Sequence, residues 1–140
     1  MNMQMQSLSP AVEARAKLKP FLLQHTVLLT TYRRDGTSVG TPVSIAVEGD
    51  HAFIRSYDKA WKSRRMRNNP YVEIARSTFR GRVKGPAIAA RARLLTGAEA
   101  QHASAVISRR YPFFQGILVP LFHRLKHYRT LHFELTPVVE

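Results

Sequence analysis

TVLLTTYRRDGTSVGTPVSIAVEGDHAFIR, residues 26–55, is the stretch from which the fold can be read. Thr26 to Arg33 is β-branched and apolar, the composition of a half-buried strand. Asp35-Gly36 is a hairpin signal, because a tight turn needs a residue that accepts positive φ. Ser38 to Glu48 is then the return strand. Pro42 has no N–H to give to a ladder, so it places that strand at an edge or a bulge. Gly49-Asp50 turns once more into His51 to Arg55. Three strands on two tight turns predict an antiparallel meander.

Downstream, the chain reads RSYDKAWKSRRMRNNP from Arg55 to Pro70. The strand runs into a short helix, with Asp58 placed to cap it and Pro70 preventing its continuation. Six basic residues (Arg55, Lys59, Lys62, Arg64, Arg65, Arg67) face one acid, Asp58. A strand leading into a helix N-terminus among cations is an anion site, since first-turn N–H groups and the helix dipole both favour negative charge. The stretch therefore reads as a cradle for a phosphate-bearing ligand; a merely solvated basic helix is the plain alternative. Trp61, the single tryptophan, reads as a packing anchor for this helix, or else as a wall for a ring-shaped ligand.

Upstream, Ser9-Pro10 opens a helix over Ala11 to Lys19, with Ser9 as N-cap, Pro10 in the first turn and Pro20 as its stop. Beyond Pro70, Tyr71 to Thr78 alternates as a strand, and Arg80 to Pro86 is a loop. Ala87 to Thr96 is a further strand, of unusually small and basic residues. Gly97 opens a helix to Arg109 or Arg110 with Ala103, Val106 and Ile107 as its stripe. Ile117 to Lys126 is a second short helix in which Pro120 sits badly. Thr130 to Thr136 alternates cleanly, Leu131, Phe133 and Leu135 against His132 and Glu134. Six strands with inserted helices predict a single mainly-β domain over residues 1–140, a closed or nearly closed antiparallel barrel, with residues 1–8 as a disordered tail.

The chain has 140 residues, 44% hydrophobic, with a net charge of +13. That charge predicts attraction to polyanions: nucleic acid, anionic lipid, or a small ligand carrying several phosphates or carboxylates. The absence of cysteine excludes disulfides and thiolate chemistry, and suits a reducing cytoplasm. There is no G-x-S-x-G and no recognisable serine nucleophile, and nine acids offer little for paired-carboxylate catalysis. His123 and His127 share a helix face at i, i+4, but Arg124, Lys126 and Arg129 would repel a cation. They read as partly exposed histidines of a basic surface, and no metal is expected. The apolar run from Phe113 to Phe122 is too short to span a bilayer.

The order T-x-R-x-D-G-x-x-x-x-T-P-V (Thr31, Arg33, Asp35-Gly36, Thr41-Pro42-Val43), Arg55-Ser56, Trp61 to Ala75, Arg80 to Pro86 and His127 to Pro137 resembles the pyridoxamine-phosphate-oxidase-like flavin-binding split barrels. It resembles most narrowly their flavin/deazaflavin oxidoreductase branch, whose members use coenzyme F420, FMN or FAD. The resemblance covers about Leu18 to Pro137. It implies a homodimer of six-stranded antiparallel split barrels with cofactor sites at the interface. By that resemblance the strand with Val39, Thr41, Pro42 and Val43 lies along the ring system. Arg55, Ser56 and Lys62 would hold the phosphate, with Arg65 beside them and Arg91 reaching in from the partner subunit.

The expectation is thus a cytoplasmic, F420-dependent (alternatively FMN- or FAD-dependent) oxidoreductase moving hydride to or from a small-molecule substrate. F420 suits the cationic excess, since its oligoglutamate tail adds charges that FMN lacks. A proton donor would be Tyr or His; no position is singled out. Two other classes compete: a non-catalytic flavin-, F420- or haem-binding protein, and a basic nucleic-acid-binding protein. The latter is disfavoured, because there is no helix-turn-helix and no aromatic-basic interleaving of the kind single-strand binders use. A weak membrane-surface contact through Phe113 to Phe122, beside Arg124, Lys126 and Arg129, is compatible with the enzyme reading.

Overall fold

In the computed structural model, which describes residues 9–113 and 117–139, the hairpin forms as expected. The tail expected at residues 1–8 lies outside the described residues. β1 (Thr26–Tyr32) pairs antiparallel with β2 (Ser38–Ser44), Tyr32 opposite Ser38 and Leu28 opposite Pro42. Gly36 takes φ +89° in the turn, and Asp35 Oδ1 accepts a hydrogen bond from Thr37 N at 2.9 Å.

The return strand is not one strand. It breaks at Ile45, whose N–H donates to His25 O at 3.0 Å and whose carbonyl accepts from Tyr111 Oη at 2.6 Å. Beyond the break, β3 (Ala46–Glu48) pairs with β4 (His51–Tyr57), and β4 with β7 (Thr130–Pro137). β5 (Tyr71–Arg76) and β6 (Ile88–Leu94) complete one antiparallel sheet in the order β2-β1-β5-β6-β7-β4-β3. The expected six strands are therefore seven among the described residues. β2 and β3 stand at opposite ends of this order yet only Ile45 separates them, so the sheet must curl until its edges approach. Pro42 lies on the edge strand β2, where its missing donor leaves no ladder bond unmade.

Among the described residues four α-helices decorate this curled half-barrel: α1 (Pro10–Leu18), α2 (Trp61–Asn68), α3 (Gly97–Arg110) and α4 (Val119–Leu125). Ser9 Oγ caps α1 by accepting from Val12 N at 3.2 Å. Pro20 does not stop the chain at once, because a 3₁₀ turn (Lys19–Phe21) receives it in its own first turn. Pro120 is likewise tolerated, at the start of α4 rather than inside it, where its missing N–H has no intrahelical partner to lose.

Inward-facing residues at period two build the main core. Val27, Leu29, Ile54, Val72, Ile74, Ala90, Leu131, Phe133 and Leu135 are buried there, and Leu18, Phe21 and Met66 close it from the helices. The odd composition of β6 is explained by this alternation: Ala90 and Ala92 point in, while Arg91 and Arg93 point out. A second cluster under α3 joins Phe53, Leu95, Ala103 and Ile107 on the other face of the sheet. Among the described residues, no helix is long and apolar enough to cross a membrane.

Candidate functional site: a basic cleft beside helix α2

α2 is seated by what it buries. Ser63 and Met66 face the sheet, and Ser63 Oγ donates to Ser56 Oγ at 2.8 Å. Arg65 Nε donates to Thr31 Oγ1 at 2.6 Å, tying the helix to β1. The residues between the buried ones, Trp61, Arg64 and Arg67, are left on the outside. A cleft of about 960 Å³ opens there, between α2, the end of β4 and the β1–β2 hairpin. Arg33, Arg34, Lys59, Lys62, Arg64 and Arg65 line it with Val39, Thr41, Tyr57, Ala60, Trp61 and Asn68, and no carboxylate is among them. A smaller hollow of about 320 Å³ shares Arg33, Arg34, Arg65 and Asn68 and adds Tyr32 and Asn69.

The cations perturb one another. Burial and then the neighbouring Arg65 push the Lys62 amine below its ordinary pKa, and its Nζ sits 5.8 Å from the Tyr57 ring centroid. Burial and Arg33 act in the same direction on Arg65. An anion entering the cleft would relieve this repulsion, as a neutral ligand would not.

The sequence-derived candidates divide by placement. Val39, Thr41, Trp61, Lys62 and Arg65 come together in the cleft. Val43 is on the same face of β2 as Val39 and Thr41 but deeper, 9% exposed within the core. Pro42 points to the opposite face, towards the loop holding Gly81. Ser56 is buried under α2 as the acceptor for Ser63. Arg55 does not line the cleft: its guanidinium turns under α3, donating to His132 Nε2 at 3.2 Å and to Ser104 Oγ at 3.0 Å. Arg91 is exposed on the outer face of β6, between Tyr71 and Thr136.

Three readings need correction. Asp58 does not cap α2, which begins three residues later with Ala60 as an N-cap lacking a side-chain bond. Too far from the helix to cap it, Asp58 instead closes the loop onto Arg129, its Oδ1 accepting from Arg129 N at 3.1 Å and its N–H donating to Arg129 O at 2.8 Å. The first turn of α2 thus meets the cleft uncapped. Trp61 is no packing anchor, being 69% exposed with Arg64 stacked 4.9 Å from its ring centroid. His123 is not a surface histidine: it is 4% exposed, and its Nδ1 lies 2.7 Å from Thr130 Oγ1. His127 is exposed, in a left-handed turn at φ 59°. Arg33 entered the sequence reading only as a position of the resemblance motif, and Arg34 and Tyr57 were not singled out as site residues; the two arginines precede the Asp35-Gly36 turn, and the pairing of β1 with β2 holds that turn beside α2.

The buried histidines make stability pH-dependent. Burial and then Arg55 push His132 down to about 4, and burial with Arg55 and Lys62 lowers His123 as well. The unfolded chain takes up a proton near pH 6.5 that the native His132 refuses, so stability is full above that pH and falls towards pH 4. Discounted for partial exposure, the His132 share is about 2 kcal/mol. His51, where the Asp50 and Glu48 hydrogen bonds outweigh burial and raise the pKa, acts above pH 6.5 with opposite sign. Urea midpoints should therefore drop between pH 7 and pH 5, and the drop should shrink in His132→Asn. An equal drop in both proteins would contradict this assignment.

The architecture is that of the pyridoxamine-phosphate-oxidase-like split barrels, and the resemblance read from the sequence holds at the level of fold. Solved structures with this fold include a protein from Listeria innocua provisionally named a pyridoxamine 5'-phosphate oxidase (17% identity, 89% of this chain and 94% of that one, TM-score 0.63). A haem storage protein from Vibrio cholerae (19%, 96% and 93%, 0.63) and an F420 reductase (17%, 85% and 92%, 0.53) share it too. No family model and no curated protein matches the chain.

Proposed function

We propose that the chain is an oxidoreductase that binds F420, with FMN or FAD as alternatives, in the basic cleft, and that it works as a homodimer on a small-molecule substrate. The observation that carries this is the convergence of six basic side chains, an exposed indole and the uncapped start of α2 on one cleft with no carboxylate among its described lining residues. That donor set suits a phosphate attached to a planar ring. Lys62, Arg65 and the first-turn N–H groups of α2 would hold the phosphate, and Trp61 with the Val39–Thr41 edge would flank the ring. The bound ring would supply the hydride chemistry; the protein's part is to orient it and exclude water. Haem is a second reading, supported by the haem storage protein of the same fold, but no histidine lines the cleft.

F420 is favoured because its carboxylate tail would extend the anion along the adjoining hollow, where Arg33, Arg34 and Arg65 continue the basic track. Such open-groove pairs are screened over about 10 Å at 0.1 M salt. F420 affinity should therefore fall more steeply with salt than FMN affinity, and should rise with tail length. Equal salt slopes, or no effect of tail length, would count against F420. Turnover of reduced F420 or FMN against oxidised acceptors tests the enzyme reading, and no turnover with tight binding would leave a carrier. Light scattering that finds a monomer with cofactor bound would contradict the dimer.

A further inference from the structure

α4 is built inside out. His123, a polar residue, faces inward, whereas Leu121, Phe122 and Leu125 are 46%, 49% and 70% exposed, and Ile117 and Leu118, just before the helix, are 55% and 40% exposed. From the N-cap Leu118, the spacing i, i+3, i+4 and i+7 places Leu118, Leu121, Phe122 and Leu125 on one helical face, and Ile117 directly precedes it. The inward contacts account for that orientation: His123 reaches Thr130, and Tyr57 stacks on Tyr128 at 4.5 Å. Phe113, 66% exposed, leads directly into this face, its carbonyl accepting from the N–H groups of Ile117 and Leu118. Arg124, Lys126, His127 and Arg129 are exposed at its border, and no acidic residue occurs between residue 117 and residue 129.

We propose that this outward face of α4 docks on an anionic lipid surface. Apolar side chains beside Arg124, Lys126 and Arg129, with Asp58 the one acid placed against that border, match the acyl boundary and the negative headgroups at once. A second copy of the chain fits less well: a twofold contact would set Arg124, Lys126 and Arg129 against their own copies. Two turns of helix also fall short of the roughly 800 Å² per partner of a standard interface. The face lies next to the cleft, since His123 of α4 packs 5.3 Å from the ring of Tyr57, which lines that cleft.

Flotation with vesicles tests this without any cofactor. The full chain should float with a mixture of phosphatidylcholine and phosphatidylglycerol and stay behind with phosphatidylcholine alone. Leu121→Gln with Leu125→Gln, a charge-neutral change at exposed positions, should weaken that binding about tenfold or more. Arg124→Gln and Lys126→Gln should each weaken it about fivefold. Circular dichroism confirms that each variant remains folded. Absence of wild-type binding overturns the proposal. So does full binding by the double leucine variant, which would trace the attraction to the general charge. If that variant instead turns a dimer into a monomer, the face is a self-association surface and the lipid assignment is wrong.

Discussion

Lys62→Ala and Arg65→Ala will each weaken binding of a phosphate-bearing flavin or deazaflavin about ten- to a hundredfold, the loss of one charge-assisted hydrogen bond of roughly 1.5–3 kcal/mol. Lys62 is the sharper test, because its amine is partly desolvated before any ligand arrives. Arg65 also holds α2 to Thr31, so its variant carries a small stability loss that Lys62→Ala does not. The two share one anion, so the double variant should lose less than the product of the single effects. Arg67→Ala is the matching control: it removes a charge from the same helix at a position outside the cleft. Asp35→Ala is a poorer control, since Asp35 shapes the turn that carries Arg33 and Arg34. Affinity equal to wild type in both cleft variants would show that the cradle is misplaced.

Arg55→Ala is expected to act on stability first, at about 2–4 kcal/mol. Arg55 is 9% exposed and bonded to His132 and Ser104. Its removal strips donors from acceptors that water reaches poorly, and leaves a cavity between β4 and α3. The resemblance read from the sequence implied a phosphate-holding role for Arg55. The two roles separate in one experiment: a lowered urea midpoint with modest change in cofactor affinity supports the buried role. An unchanged midpoint with collapsed affinity would return Arg55 to the site. The same variant should raise the His132 pKa, because Arg55 is one of the charges that depress it.

The parts of the fold that sequence made legible are those with a local physical cause. Gly36 and Gly49 mark turns by their positive φ, and alternation in β7 names its buried face. Ser9 announces the start of α1 by its cap. The break at Ile45 had no local cause. Ile45 is an apolar residue in an alternating run, and its departure from the ladder depends on His25 and Tyr111, distant in sequence. The site was half legible for the same reason. A contiguous run of cations showed Lys62 and Arg65, but a run cannot say which members face outward. Helix periodicity sent Trp61 to the cleft, while the strand pleat turned Arg55 towards α3. Arg33 and Arg34 entered from another element, through the β1–β2 pairing. His123 was misjudged because the neighbouring Arg124, Lys126 and Arg129 placed it on a basic surface, whereas α4 hides the imidazole and shows the leucines.

The proposed cofactor site is the cleft lined by Lys62, Arg65 and Trp61. Parallel titration of the apo-protein with F420, FMN and FAD at low salt, following fluorescence quenching, tests it most directly. Saturable one-per-chain binding is expected, with F420 tightest, lost in Lys62→Ala and retained in Arg67→Ala. Binding of none of the three, or binding that Lys62→Ala leaves untouched, would contradict it.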